Sequence, residues 1–215
     1  VSDAAVTIND VDTTAITATE LSAIGGSTTG QVTVTNAVAI TGSVAEVTAA
    51  LVTADTLVVV DDAAVTITGN PTITELNNIA AKTTGVVTAT LAADSLSNLG
   101  ALTTAATDAI TITVNDADAT ALTASALSTL GGKTAGTVTV TNAVAITGNH
   151  DELTAALVTA DTKVEVSNAT VTVNDGDTTA ITAAELSAIG GATTGQVTVT
   201  NAVAITGTAA EVTAA

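Results

Sequence analysis

The sequence predicts an α/β repeat protein, a right-handed β/α solenoid with stacked parallel strands and one short capped helix per coil. Three observations lead there. The stretch 32–42, Val-Thr-Val-Thr-Asn-Ala-Val-Ala-Ile-Thr-Gly, returns unchanged at 138–148 and 197–207. Each copy runs into a helix-like segment, 43–51, 149–157 and 208–215. The only large apolar residues are Val, Ile and Leu, because Phe, Trp, Tyr, Met and Cys are all absent. Fixed-period self-similarity marks architectures whose neighbouring units bury one another. Small branched side chains cannot fill a thick core, but they fill a narrow one that repeats.

Strands are expected where Val or Ile alternates with Thr, the period of two of a half-buried strand. In chain order these are 6–8, 32–35, 38–40, 57–60, 65–68, 86–90, 110–114, 138–141, 144–146, 163–166, 171–173, 197–200 and 203–205. Several strand pairs meet at Asn or Asp followed by Ala: Asp3, Asn36, Asp62, Asn142, Asn168 and Asn201. Asn and Asp close Asx-turns and tolerate unusual backbone angles, so this column reads as a corner.

Helix starts carry the capping-box spacing, in which the first side chain accepts from an orphan amide and a Glu three residues on reaches back. The boxes are Thr17 with Glu20, Ser43 with Glu46, Thr72 with Glu75, Asn149 with Glu152, Thr182 with Glu185, and Thr208 with Glu211. Thr123 keeps the cap and lacks the Glu. Gly25-Gly26, Gly131-Gly132 and Gly190-Gly191 are expected to end helices through a left-handed turn. Helices of two or three turns are unstable alone, so the strands must hold them.

The whole chain, 1–215, therefore reads as one continuous array, with coils near 1–30, 31–55, 56–85, 86–108, 109–136, 137–162, 163–195 and 196–215. Residues 1–50 match 166–215 at 42 of 50 positions, so the sequence starts and stops partway through a unit. Neither end is the polar cap that solenoids use. Either the sequence is a window of a longer array or filament, or its subunits cap each other. No leader peptide is visible, although one could precede a sequence that begins inside a repeat.

A formal net charge of −18, from 21 acidic side chains against three Lys (Lys82, Lys133, Lys163), opposes binding to phosphate backbones and anionic lipid. No nucleic-acid partner is expected. No apolar run reaches the ~18 residues of a spanning helix, so no membrane insertion is expected. Six of seven Glu sit in capping boxes, which makes Glu structural and leaves Glu165 outside.

Asp is the more promising ligand. Asp10 and Asp12 form an Asp-x-Asp turn that recurs as Asp116 and Asp118 and as Asp175 and Asp177. Such turns offer the hard oxygens that Ca²⁺ prefers, without the remaining ligands of an EF-hand. No other cofactor is implied. Thr-x-Thr pairs (Thr33/Thr35, Thr66/Thr68, Thr88/Thr90, Thr111/Thr113, Thr139/Thr141, Thr170/Thr172, Thr198/Thr200) would align outward in ranks like those of ice-binding β-solenoids. They also suit any wet strand face. Asn168-Ala169-Thr170 is a lone glycosylation sequon. His150, the single imidazole, lies in a helix's first turn and is expected to face solvent. Catalysis has no foothold: there is no phosphate loop and no Cys/His cluster.

The 32–42 motif, the following Ala-Glu-Val-Thr-Ala-Ala-Leu-Val-Thr-Ala-Asp (45–55) and Thr-Ala-Ala-Glu-Leu-Ser-Ala-Ile-Gly-Gly (182–191) resemble repeats of giant secreted and cell-surface proteins of cyanobacteria. The resemblance implies an adhesin-like, extracellular or cell-surface protein; the calcium-binding glycine repeats of that group are missing here. A non-enzymatic structural role follows as the expectation: a fibre, sheath or adhesin stalk whose partner is itself, head to tail. The alternative is a ligand-binding module, with Ca²⁺ on the Asp turns or ice on the Thr ranks.

Overall fold

The computed structural model describes residues 3–55, 58–159 and 163–215. It is an α/β structure with several open sheets and, among the described residues, eight α-helices. All strand pairings among those residues are parallel. The α/β class and the parallel pairing agree with the sequence reading. The chain divides into two compact units, Val1–Ala92 with Leu102–Thr111, and Ala93–Ala101 with Ile112–Ala215.

The first unit holds β1 (Val6–Ile8), β2 (Ala15–Thr17), α1 (Ala18–Gly25), β3 (Val32–Val34), β4 (Ala39–Ser43) and α2 (Val44–Leu51). It continues with β5 (Val58–Val59), β6 (Ala64–Thr68), α3 (Ile73–Ala80), β7 (Val87–Thr90) and the first half of β8 (Ala109–Val114). One sheet has the order β1-β3-β5, pairing Val6 with Val32 and Val32 with Val58. The other runs β2-β4-β6-β7, with Ala109, Ile110 and Thr111 of β8 beside β7. Its register sets Ile16 beside Ile40, Ile40 beside Val65, and Val65 beside Val87. These residues are buried, as are Leu21, Val47, Leu76 and Ile79 on the helices.

The second unit contains α4 (Leu96–Leu99), the rest of β8, β9 (Ala121–Thr123), α5 (Ala124–Gly131), β10 (Val138–Val140), β11 (Ala145–Gly148) and α6 (His150–Leu153). Helix α6 passes into a π-helical turn, Thr154–Val158. Then come β12 (Val164–Val166), β13 (Thr170–Val173), β14 (Ala180–Thr182), α7 (Ala183–Gly191), β15 (Val197–Val199), β16 (Ala204–Thr206) and α8 (Ala209–Ala214). Here β10 lies between β8 and β12, the order β15-β13-β11-β9 forms a four-stranded sheet, and β14 pairs with β16. Ile146, Val171, Ile181, Leu127 and Leu153 form its buried interior.

Alternation explains the strands that the sequence identifies, since in most of them the inward Val and Ile are buried and the intervening Thr is not; in β1, β15 and β16 the inward residues are only half-buried or exposed. Three strands escape that signal: β2, β9 and β14, each Ala-Ile-Thr or Ala-Leu-Thr. Their last residues, Thr17, Thr123 and Thr182, are also the N-caps of α1, α5 and α7. An N-cap takes extended backbone angles, so strand and helix share it with no linker. Helix α4 was also outside the sequence reading; Ser95 caps it, accepting from Asn98 N. Leu57, in the strand expected at 57–60, lies outside the described residues, and β5 is Val58–Val59.

The left-handed helix ends are a correction. Gly26 and Gly132 have φ of −70° and −69°, and α7 runs through Gly191 to a right-handed Ala192. The carbonyls are satisfied instead by tightening of the last turn, with Ser27 N donating to Ile24 O and Lys133 N to Leu130 O. Nothing in the structure requires glycine at Gly190 or Gly191, where a Cβ would meet open space.

A second glycine set is required. Thr28, Thr83 and Thr193 each donate their hydroxyl at 2.6 Å to the carbonyls of Ala4, Ala63 and Ala169. Each hydroxyl also accepts at 3.0 Å from the amide of Gly30, Gly85 or Gly195. These glycines lie directly on the same alanine carbonyls, where any Cβ would overlap backbone. Gly195→Ala is therefore expected to lower stability by about 1–3 kcal/mol. In contrast, Thr48 Oγ1 in α2 is buried with no partner, so Thr48→Val should raise stability by about 1 kcal/mol. Urea unfolding of both variants checks the two signs.

Candidate functional site

The Asp-x-Asp turns are the recurring polar constellation outside the helix caps. The residue after the second Asp of each takes left-handed angles without glycine: Thr13 (φ 65°), Ala119 (φ 60°) and Thr178 (φ 66°). That conformation is unfavourable for a residue with a Cβ, and hydrogen bonds hold it. Thr13 N donates to Ala37 O, Ala119 N to Ala143 O and Thr178 N to Ala202 O, each at 2.8 Å.

The same alanines return the contact. Ala37 N donates to Asp12 Oδ1 at 3.2 Å, Ala143 N to Asp118 Oδ1 at 2.9 Å, and Ala202 N to Asp177 Oδ1 at 3.0 Å. Beside them the amides of Asn36, Asn142 and Asn201 donate to the backbone carbonyls of Asp10, Asp116 and Asp175 at 2.6, 2.7 and 2.5 Å. The second Asp of each turn is thus fastened to a segment 25 residues further on.

The expected corner column therefore splits into two kinds. At Asn36, Asn142 and Asn201 the side chain grips an Asp turn, whereas at Asp3, Asp62 and Asn168 the following alanine receives the threonine hydroxyl described above.

The first Asp of a turn reaches back along the chain. Asp116 Oδ2 accepts from Leu96 N, the first amide of α4, at 2.7 Å. Asp175 Oδ2 accepts from His150 N, the first amide of α6, at 2.8 Å. Both carboxylates sit where a helix N-terminus favours negative charge. The carboxylate of Asp10 is exposed and, unlike its backbone carbonyl, has no hydrogen-bond partner among the described residues. Among those residues no three His, Cys, Asp or Glu side chains lie together as a group able to hold a metal ion.

His150 corrects a second expectation. Its side chain is only 14% exposed, with Nδ1 2.6 Å from Asp175 Oδ1 and Nε2 3.4 Å from Asp151 Oδ1. Packing beneath Asp175, which the sequence places 25 residues away, draws it out of solvent. The hydrogen bond to Asp175, and behind it the charges of Asp175, Asp151 and Glu185, raise the imidazole above its ordinary 6.5 against the opposing effect of burial.

The six capping boxes close in both directions. The Thr17 hydroxyl, then its amide, hold the Glu20 carboxyl below the usual range. Glu46 is lowered by the Ser43 amide, then its hydroxyl, and by Thr19 Oγ1 donating from α1 at 2.8 Å. Glu75, Glu185 and Glu211 are lowered in the same way by Thr72, Thr182 and Thr208.

The threonines align singly rather than as pairs. Thr17, Thr41, Thr66 and Thr88 are successive partners in one sheet, and Thr123, Thr147, Thr172 and Thr198 in another. Elsewhere the ranks are broken, Thr33 facing Val59, Thr139 facing Glu165 and Thr170 facing Ala145. Thr35, Thr141 and Thr200 turn their hydroxyls onto the carbonyls of Ile8, Val114 and Val173. Asn168 of the sequon is exposed at a bend, and no described helix is long and apolar enough to cross a membrane. No protein-family model, curated protein or solved structure matches this chain.

Two pH limits follow by linkage. The lowered Glu carboxyls contribute stability above their ordinary value of 4.5, lost as pH falls through their folded values. The raised His150 contributes below 6.5, and that contribution is lost as pH rises through its folded value. Urea midpoints should therefore fall on both sides, and His150→Gln should flatten only the alkaline fall. Asn142→Ala, which frees the Asp116 carbonyl, should cost about 1 kcal/mol at any pH in between.

Proposed function

We propose that this chain is a structural segment of an extracellular fibre, sheath or adhesin stalk, a right-handed β/α solenoid that assembles by end-to-end stacking of its coils. One observation carries the reading: strands pair in parallel with the strand about one repeat further on, with like residues opposite one another. Val6, Val32 and Val58 follow at steps of 26 residues, as do Ile112, Val138 and Val164. The sequence resemblance to giant repeat proteins of cyanobacterial surfaces supports the same setting, and the poverty of candidate catalytic groups supports a non-enzymatic role. Acidic exteriors keep such segments apart in dilute solution, while the apolar edges of terminal strands bring them together. Head-to-tail contact of this sort yields filaments rather than closed rings.

Sedimentation and electron microscopy over a concentration series provide the test. Assemblies should lengthen with concentration, and more so at ~0.15 M salt than at ~0.01 M, where charge repulsion reaches ~30 Å rather than ~8 Å. A chain that stays monomeric to its solubility limit would remove the reading.

A second reading, a ligand-binding surface, is favoured by the two four-membered threonine ranks, which place hydroxyls at the ~4.8 Å spacing of adjacent strands. Thermal hysteresis would reveal binding to ice. Calorimetry with Ca²⁺ tests the Asp10/Asp12, Asp116/Asp118 and Asp175/Asp177 turns, each with one carboxylate oxygen already held by an alanine amide.

A further inference from the structure

We propose that the open edge of β9, inside the second unit, binds the free carboxyl end of an extended polypeptide tail that carries a basic side chain two residues before its last. The site goes beyond the end-to-end reading and does not depend on it. In the sheet β15-β13-β11-β9, strand β9 is paired, among the described residues, by β11 alone. The coil before it is part of the structure and brings the short helix α4 rather than a strand to this place. In a parallel ladder, alternate residues serve opposite neighbours. Thr120 O accepts from Ala145 N, and the register turns the backbone of Leu122 toward β11. Ala121 N, Ala121 O and Thr123 N therefore face the open edge, and none of the three has a hydrogen-bond partner among the described residues.

The other helix caps show which partner suits Thr123. In the six capping boxes the cap's own amide donates to the Glu carboxylate at 2.6–3.0 Å. In four of them the cap's hydroxyl donates to the same carboxylate at 2.7 or 2.8 Å. Even at α4 the cap amide, Ser95 N, is taken by a carboxylate, Asp94 Oδ1, at 2.7 Å. At α5 the Glu position is Ala126. Thr123 Oγ1 accepts from Ala126 N at 3.3 Å, as the other caps do, and its hydrogen and the Thr123 amide are left for an acceptor from outside. The same pair of donors thus stands without the carboxylate that its counterparts hold.

The surroundings fit an extended chain. Along this edge lies an open depression of about 510 Å³, whose lining includes Thr123, Ala126, Asp116 and the buried Leu96 and Leu122. Helix α4 has only four residues, whereas α6 at the equivalent place continues through its π-helical turn. A tail laid parallel to β9 satisfies all three open groups. The carbonyl of its third-last residue accepts from Ala121 N, the amide of its last residue donates to Ala121 O, and its terminal carboxylate accepts from Thr123 N and Oγ1. Its second-last side chain falls in line with Leu122, Ile146 and Val171 across the sheet, so a branched aliphatic residue suits it. The start of α5 favours the negative charge of the carboxylate. Asp116, in the turn that enters β9, flanks the other end. One of its carboxylate oxygens accepts from Leu96 N and the other has no partner among the described residues, so a Lys third from the tail's end completes the charge match.

Titration calorimetry with the acetylated peptide Gly-Ser-Lys-Val-Ala, as the free acid and as the carboxy-terminal amide, tests the site. The acid should bind, the amide should bind about tenfold more weakly or worse, and exchange of the peptide's Lys for Glu should weaken the acid about threefold or more. Ala126→Glu completes the capping box, so it should abolish binding while raising the urea midpoint, which distinguishes a blocked site from an unfolded one. In NMR spectra the amide resonances of Ala121 and Thr123 should shift when the acid is added to the unmodified chain and stay in place in Ala126→Glu. Equal binding of acid and amide, indifference to the Lys-to-Glu exchange, undiminished binding by Ala126→Glu, or no binding of the acid at ~1 mM overturns the site, and each leaves the end-to-end reading untouched.

Discussion

A strand of two or three residues cannot keep its own register, and most strands here are that short. The ladder bonds of such a strand are too few to resist a slip, and a slip of one residue would turn every inward Val or Ile outward. The structure depends on fixing that register from outside the strands. The Asp turns do so at one position, through an alanine that both donates to the carboxylate and accepts from the residue after it. The threonine hydroxyls that bridge an alanine carbonyl and a glycine amide do so at another. Each device joins segments about one repeat apart, so the spacing of the sheets is set by side-chain-to-backbone bonds as much as by the ladders.

This constraint accounts for a composition that looks impoverished for a folded chain. Backbones that approach closely leave room for Gly and Ala, and Val, Ile and Leu suffice for a narrow interior. Gly42, Gly148 and Gly207 show the same economy, since a Cβ on any of them would press on Ala18, Ala124 or Ala183 at the start of the helix one repeat earlier. Aromatic residues have no place in an interior of that depth. Among the described residues negative charge lies on the surface and at helix starts, where unpaired amides receive it, except at Asp108, which is buried and accepts from the amides of Val87 and Ala105.

Local signals were legible in the sequence and distant ones were not. The capping boxes are written in four consecutive residues, so Thr17 with Glu20 or Ser43 with Glu46 can be read without knowing the fold. The Val-Thr strands are equally local. The strands Ala15–Thr17 and Ala180–Thr182 were hidden because Ala-Ile-Thr has one inward residue, too little for an alternation to register. The Asp turns offer possible cation ligands by their pattern, and the reason five of the six carboxylates are there, all but that of Asp10, lies in an amide 20 or 25 residues away. His150 failed on the same ground: its position in a first turn suggested solvent, and its partner Asp175 belongs to a later segment. Gly25 and Gly26 misled for the opposite reason, since glycine after a helix permits a left-handed turn without demanding one.

The sharing of one residue between strand and helix has a bearing on how such a chain can change length. Thr17, Ser43, Thr123 and Thr182 each end a strand and cap the helix that follows. No slack exists at those points, and an inserted or deleted amino acid would move either the cap off its amide or the inward side chain off its face. Tolerance for indels is left to places such as Gly69-Asn70-Pro71, where a loop separates β6 from its helix and Gly69, at φ 89°, has open space around it. Divergence among copies of this repeat is thereby channelled into a few connecting loops, while the strand-to-helix junctions stay fixed in length.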